Sequence, residues 1–480
     1  MNLSFPEYRL FLYFITLVAI LRIVIAPFVG LGVDEAHYVL YGLYLDLSYF
    51  DHPPLVGWLQ YASLELLGVN ALAARVGAIL IGFVVPFFIY KLIYDASKNA
   101  SFALMSVLAL HASFLFHGLF LMLLPDTLLF LLILPIIFTI IEIEKNNSLW
   151  MWLLLGLLLG FAGLSKYTAV LFLVPIILYF FIKQRYDLLF NPAIIPAAML
   201  ALIMISPVLL WNIQNDWSSF AYQSDHVVGD TGINETAFIT SLVTQFAAYN
   251  PFLFPLAFYG LYNALNDEND TLFLSALFGL VIFMFFSFAS LFQTALPHWN
   301  ALFYMLFIPI GSYYLLRLAT KPAQVYLRFV IGFGLFISLY AYAELALKFT
   351  PMPEYKSVHR DIYGWDEIMS KSDKHITNPN QEALAVTNWT LASRAIFYNL
   401  KNNSSVYLID KRQDQFDLWQ KTPPIGKDLI FINTHFFNKT IYEFAICDKT
   451  TKLENFDILL NSKKINSIEL IKCSNFQGVR

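Results

Sequence analysis

Hydrophobic residues run in long blocks up to about residue 350 and thin out after it. Such blocks have the length of membrane-spanning helices, which need roughly 17 to 25 mostly apolar residues. On that template about eleven spans are expected, centred near residues 20, 82, 108, 132, 157, 175, 202, 252, 281, 308 and 336. Some are short or closely joined, at Met122 to Pro125 and at Ser165 to Tyr167. The first, from about Leu10 to Val29, is longer than the apolar core of a secretory signal and lacks a small-residue cleavage pattern, so a retained anchor is expected. Past Thr350 the pattern changes, with Pro351 and Pro353 marking the exit. EALAVTNW, SSVYLID and KDLIFIN are then strand-length apolar runs between turn formers, and LASRAIFYNL has helical spacing. The expected architecture is an α-helical polytopic membrane protein over residues 1–350 and a small α/β domain over residues 351–480, without internal repeats.

Composition agrees with that division. The chain is 58% hydrophobic and 13% charged, whereas about a quarter of a soluble globule is charged. Its net charge is -4, and no run of Lys and Arg points to nucleic acid, which is set aside as a partner. Lys and Arg favour cytoplasmic loops. A cytoplasmic N-terminus places Arg9, Lys91, Lys98, Lys145, Lys183, Arg185, Arg317, Lys321 and Arg328 at cytoplasmic ends, and leaves Arg75 and Lys166 outside. An odd number of spans then puts the C-terminal domain outside. Arg22, within the first span, needs a polar partner or an interfacial escape. Cys447 and Cys473 both lie in the tail; a disulfide suits an oxidising compartment, and two buried thiols are the alternative.

Candidate chemistry starts at residues 31–54, LGVDEAHYVLYGLYLDLSYFDHPP, the first polar stretch. Asp34-Glu35 and Asp51-His52 bracket a segment in which Tyr38, Tyr41 and Tyr44 recur at helical spacing. Acids beside a membrane cost desolvation energy unless they serve a proton, a cation or a hydroxyl; a merely solvated loop is the competing reading. The other outer connections contribute Asp126 in LLPDTLL, Lys166 in GLSKYTA, the long WNIQNDWSSFAYQSDH and His298 in QTALPHWNA. A lone Asp at a helix start is more often an N-cap. Lys166 either snorkels to head groups or holds an anionic ligand such as a phosphate, and His298 is a ligand contact or a satisfied buried histidine. Convergence of four such loops on one face favours a site.

VDEAHYVLYGLYLDLSYFDHPPLVGWL, LLPDTLLF, GLSKYTAVLFL, WNIQNDWSSFAYQ and LPHWNA resemble the bacterial members of glycosyltransferase family 39. These are the dolichyl-phosphate-mannose protein mannosyltransferase-like enzymes of the GT-C fold, related to lipid A aminoarabinose transferases. NWTLASRAIFYNL, DQFDLWQ and GKDLIFI are similar to that family's bacterial C-terminal segments. The resemblance implies a lipid-dependent sugar transferase whose first outer loop bears the catalytic acid, Asp34 followed by Glu35. It carries Asp51 and His52 over as neighbours of the donor phosphate or of a divalent metal ion, although the aminoarabinose transferases have a different acid and a lysine at that turn. His37, Tyr38, Asp126, Lys166, Tyr167, Tyr222, Gln223, His298 and Trp299 fall on elements where donor or acceptor contacts are expected. The implied partners are a polyprenyl-phosphate-linked sugar, a lipid, glycan or protein acceptor, and membrane lipid.

Such a donor brings its own good leaving group. A glycosidase needs a second carboxylic acid to protonate a poor one; here cations suffice, and one base is enough. Asp34 is the expected base, with Lys166, His298 and a divalent ion held by acidic groups as candidates to stabilise the departing phosphate. A single displacement would invert the anomeric centre. Tyr38, Trp217, Tyr222 and Trp299 would stack on sugars or anchor at the interface, and the long third outer loop would act as a lid. The expected location is the outer face of the bacterial inner membrane. The competing function is a polytopic transporter or lipid flippase using the loop acids for ion coupling, which calls for ionisable residues deep in the spans; a scaffold presenting the tail leaves the acidic loop unexplained.

Overall fold

The computed structural model describes residues 6–228, 232–350, 358–435 and 441–480; Pro351 and Pro353 lie outside them. The chain divides into two compact units. One comprises Met1–Val24, Asp46–Val56 and Arg75–Ala341; the other comprises Ile25–Leu45, Gly57–Ala74 and Tyr342–Arg480. Two N-terminal stretches therefore fold with the tail.

Among the described residues seven helices are long and apolar enough to cross a membrane: Pro6–Ile25, Ala71–Ser97, Pro125–Asn146, Ile194–Gln214, Asp270–Ala289, Pro297–Arg317 and Lys321–Leu347. Four shorter apolar helices are Ala100–His111, Leu149–Ser165, Tyr167–Ile182 and Leu253–Leu265. Two expectations shift. The first helix stops at Ile25 rather than Val29, because Ala26 precedes Pro27 and a pre-proline residue is driven out of the helical region. The span expected near residue 252 is broken there. Helices Glu235–Ala248 and Leu253–Leu265 flank Asn250, at φ 77°, and Pro251, which cannot continue the first helix.

Within the first unit close backbone approach does much of the packing. A Cβ on Gly311 would sit 2.1 Å from the Leu256 carbonyl oxygen, so helix Ala301–Arg317 meets helix Leu253–Leu265 backbone to backbone, as small residues allow in membrane bundles. Arg22 does not escape to an interface. It is buried, its guanidinium 5.3 Å from the centre of the Phe120 ring, a cation–π contact that gains strength where water is excluded.

The second unit is built on a five-stranded sheet: β1 (Glu382–Val386), β2 (Val406–Leu408), β3 (Asp428–Thr434), β4 (Ala445–Leu460) and β5 (Lys463–Val479), ordered β2-β1-β3-β5-β4. β1 pairs parallel with β2 and β3, Leu384 lying opposite both Val406 and Ile430; β5 pairs antiparallel with β3 and β4. EALAVTNW, SSVYLID and KDLIFIN thus supply β1, β2 and β3, and LASRAIFYNL lies in helix Trp389–Asn399. The β4–β5 hairpin was not expected, because polar and charged residues interrupt β4 throughout; it is a sheet edge, where exposed charge is normal. Side chains alternate across the sheet. Leu384, Val386, Ile430, Ile432 and Leu470 enter one core with Trp365, Leu391 and Leu40; Ala383, Ala385, Leu429, Phe431 and Cys473 enter the other. Leu40 belongs to helix Val33–Leu43, so the helical part of the first polar stretch joins the core of this unit, while Asp46–Val56 folds with the first unit. Cys447 and Cys473 are joined as a disulfide across β4 and β5, with Cα atoms 5.4 Å apart.

Candidate active site

Asp34 stands in the first turn of helix Val33–Leu43, half-buried. The helix begins at Gly32, whose N–H donates to Glu35 Oε2 at 3.0 Å. Glu35, 1% exposed, is therefore the returning arm of a capping interaction, and it holds the turn that presents Asp34. Just before the helix, Leu31 N–H donates to the Tyr398 hydroxyl at 2.9 Å. A Cβ on Gly30 would lie 1.8 Å from the Ile362 carbonyl oxygen, so only glycine lets the chain approach there. These contacts tie the position of Asp34 to residues more than 300 places downstream.

One helical step further, His37 points inward. Its Nδ1 lies 3.1 Å from Ser393 Oγ, and the ring is enclosed by Tyr41 at 5.0 Å, Trp389 at 5.3 Å, Phe416 at 5.7 Å and Trp419 at 6.0 Å. Tyr38 is buried too, edge-on to Tyr41 at 5.6 Å. Ser393, Trp389, Phe416 and Trp419 had no assigned part in the sequence reading, although NWTLASRAIFYNL and DQFDLWQ contain all four. Asp414, in the second of these segments, accepts the Phe416 N–H at 2.8 Å as the N-cap of helix Gln415–Trp419. Burial, reinforced by Asp410 and Asp417, pushes its carboxyl up to about 7.

In the first unit a second charged cluster forms. Asp126 is in the first turn of helix Pro125–Asn146, whose N-cap is Leu124, so Asp126 is not the cap. Lys166 sits where helix Leu149–Ser165 gives way to the 3-10 turn Tyr167–Phe172. Its Nζ turns inward to Asp126 Oδ1 at 2.7 Å, with both side chains nearly buried, and lies 5.8 Å from the centre of the Phe286 ring. His298 Nε2 is 3.9 Å from the other Asp126 oxygen. Trp299 packs on Phe286 at 5.7 Å. The Tyr167 hydroxyl meets Ser219 Oγ, and Ser48 Oγ at 3.5 Å. Gln223 donates to the Asp51 carbonyl at 2.6 Å, and Tyr222 lies 4.9 Å from Phe50. Residues from the DHPP, LPD, SKYT, FAYQ and PHW elements thus gather within this unit, and much of the third outer loop is the helix Ser218–Val228.

The metal expectation rests on Asp51 and His52, whose Oδ2 and Nε2 are 3.9 Å apart. Among the described residues no group of three or more His, Cys, Asp or Glu side chains is arranged to hold an ion. Two donors facing each other at that distance fall short of the oxygen-rich shell a divalent ion such as Mg²⁺ or Ca²⁺ prefers, so no step is derived through a metal.

The fold defines the class, a chain of apolar helices long enough to cross a membrane with the GT-C fold and a small C-terminal sheet domain. The fold is that of ArnT from Cupriavidus metallidurans, in its apo state with a TM-score of 0.67 and bound to undecaprenyl phosphate with 0.66. At 13% identity each superposition covers 96% of this chain and 97% of that one. Residues 51–211 match the family model described as dolichyl-phosphate-mannose-protein mannosyltransferase, which bears out the resemblance read from the motifs. That stretch contains Asp51, His52, Asp126, Lys166 and Tyr167. The lipid A galacturonosyltransferase RgtD of Rhizobium johnstonii is 26% identical over 254 residues; the match spans 50% of this chain and 50% of that protein, about half the length of the curated relative.

Proposed function

We propose that the chain is a membrane glycosyltransferase that moves a sugar from a polyprenyl-phosphate donor to a hydroxyl of a lipid, glycan or protein acceptor. The observation that carries this reading is the Lys166–Asp126 ion pair with His298 beside it, largely withdrawn from water within one unit of a GT-C fold, the pair lying inside the stretch that matches the transferase family. The bound undecaprenyl phosphate of the ArnT relative supports the donor class, and the name of the RgtD relative supports an acceptor of the lipid A kind.

In this reading the acceptor oxygen attacks the anomeric carbon while the bond from that carbon to the phosphate oxygen breaks, its electron pair leaving with the phosphate. The acceptor proton passes to the Asp34 carboxylate, which Glu35 keeps in position through the Gly32 N–H. Lys166 and His298 stabilise the charge that collects on the phosphate. One displacement inverts the anomeric configuration. We further propose that the protein lies in the bacterial inner membrane with its N-terminus cytoplasmic and its sheet domain periplasmic. The Cys447–Cys473 disulfide supports that side, since disulfides persist in oxidising compartments.

The test is transfer by the purified protein from a synthetic polyprenyl-phosphate sugar to lipid A, read by mass spectrometry, with the product anomer assigned by NMR. Asp34→Asn, which removes a base without changing size, is expected to abolish transfer in a protein that still folds. Wild-type turnover by that variant overturns the role of Asp34, and a retained anomer overturns the single displacement.

A further inference from the structure

At the C-terminal end of helix Val33–Leu43, the second unit carries a groove of about 580 Å³, within the size range of ligand sites. One wall is aromatic. Tyr44, 43% exposed, and Trp419 have ring centres 5.1 Å apart and planes inclined by 42°. Hydroxyl and amide side chains form most of the rest, including Asn402, Ser405 and Thr422, and among the described residues Lys421 is the one ionisable side chain other than tyrosine that lines it.

Three ligand classes fit this lining poorly. An acyl chain would strand the amides and hydroxyls without water or partners, which costs free energy for every polar group buried that way. A cationic ligand would find Lys421 and, among the described residues, no carboxylate in the lining. A peptide lying in the groove would be expected to add to the sheet edge beside it, and of the two edges that is β2. Gln420 already occupies it: its Nε2 donates to the Val406 carbonyl and its Oε1 accepts from the Leu408 N–H, both at 2.9 Å. Its amide thereby stands in for the next strand. What remains is a ligand with apolar faces for the rings and many hydroxyls for the amides.

We propose that this groove binds a neutral or anionic oligosaccharide, a part of the acceptor remote from the hydroxyl that is glycosylated. This rests on the transferase reading above and narrows its acceptor to a saccharide-bearing one. Tyr44 and Asp34 are ten residues apart at the two ends of one helix, about 15 Å at 1.5 Å per residue. The sugar in the groove is therefore not the one that reacts. Its binding instead holds the acceptor, in the way that contacts with non-reacting parts of a substrate are used to orient the reacting centre.

The probe is the core oligosaccharide released from lipopolysaccharide by mild acid, titrated into the full-length protein in detergent and followed by saturation-transfer NMR. Binding is expected, weakened about fivefold in Tyr44→Ala by loss of one ring face and recovered in Tyr44→Phe. In transfer assays the wild type is expected to favour a core-bearing acceptor over bare lipid A, and that ratio of kcat/KM values should fall about fivefold in Tyr44→Ala. Absence of binding, or equal binding by wild type and Tyr44→Ala, overturns the groove. If the oligosaccharide binds in a Tyr44-dependent way while no polyprenyl-phosphate sugar is transferred to either acceptor, the groove stands and the transferase reading falls.

Discussion

Lys166 and Asp126 hold each other at 2.7 Å with little water around them, and this pairing decides how either can be tested. Removing one partner of a buried pair strands the other charge, at about 3 to 5 kcal/mol, whereas removing both is often nearly neutral. Lys166→Ala is therefore expected to lower the melting temperature and raise the KM for donor more than that for acceptor. The double variant Lys166→Met with Asp126→Asn should recover most of the stability and none of the donor affinity. Normal donor KM in the double variant would make the pair purely structural. Asp414 makes a different prediction, through pH. Its carboxyl is raised from 3.8 to about 7 by burial, so below pH 3.8 both folded and unfolded forms carry the proton and no cost arises. As pH rises towards 7 the unfolded form ionises first, and the fold is progressively penalised, by at most about 4 kcal/mol. Asp414→Asn keeps an N-cap side chain and removes the charge. It should melt higher than wild type at pH 8 and at the same temperature at pH 4; a gain that does not vary with pH would refute the buried carboxylate as its cause.

Among the elements, the β4–β5 hairpin depends most on a single bond. Cys447 and Cys473 are 26 residues apart, and closing a loop of that length lowers the entropy of the unfolded chain by an amount worth about 3.5 kcal/mol. Replacing both cysteines by alanine should lower the melting temperature of the sheet domain and expose β4 to protease, and thiol-reactive label should enter the wild type only after reduction. Labelling of both thiols in unreduced, denatured protein would disprove the bond. Strands β1 and β3 were legible as apolar runs because both of their faces are buried, and β2, an edge strand, because its short run VYL is apolar and bounded by turn formers. β4 was not, because most of its length is only partly buried and imposes no hydrophobic pattern.

For the whole molecule, sidedness follows from where the cations fall along the chain. The Lys and Arg bias predicts that a reporter enzyme fused after Arg480 is active only outside the cytoplasm. Activity only inside would invert the assignment and, with it, the side on which Asp34, Asp126, Lys166 and His298 meet their substrates. The transporter alternative asked for ionisable groups deep in the helices. Arg22 is one, buried with its guanidinium over the Phe120 ring, and His111 and His117 are buried in the same unit.

Hydrophobic periodicity and length by themselves determined that this is a membrane chain of apolar helices with a small α/β tail, because burial in lipid and in a sheet core each impose a pattern local in sequence. Short motifs likewise marked Asp34, Asp126, Lys166 and His298 as candidates. Only the tertiary structure decided that Asp126 is paired with Lys166 rather than capping its helix. It also decided that Glu35 closes the turn under Asp34, and that helix Val33–Leu43 folds into the core of a domain made mostly from the last third of the chain. Those outcomes depend on partners distant in sequence, such as Ser393 for His37, Tyr398 for Leu31 and Ile362 for Gly30. Local spacing carries no record of them, because packing and charge pairing are settled only where the chain returns to itself.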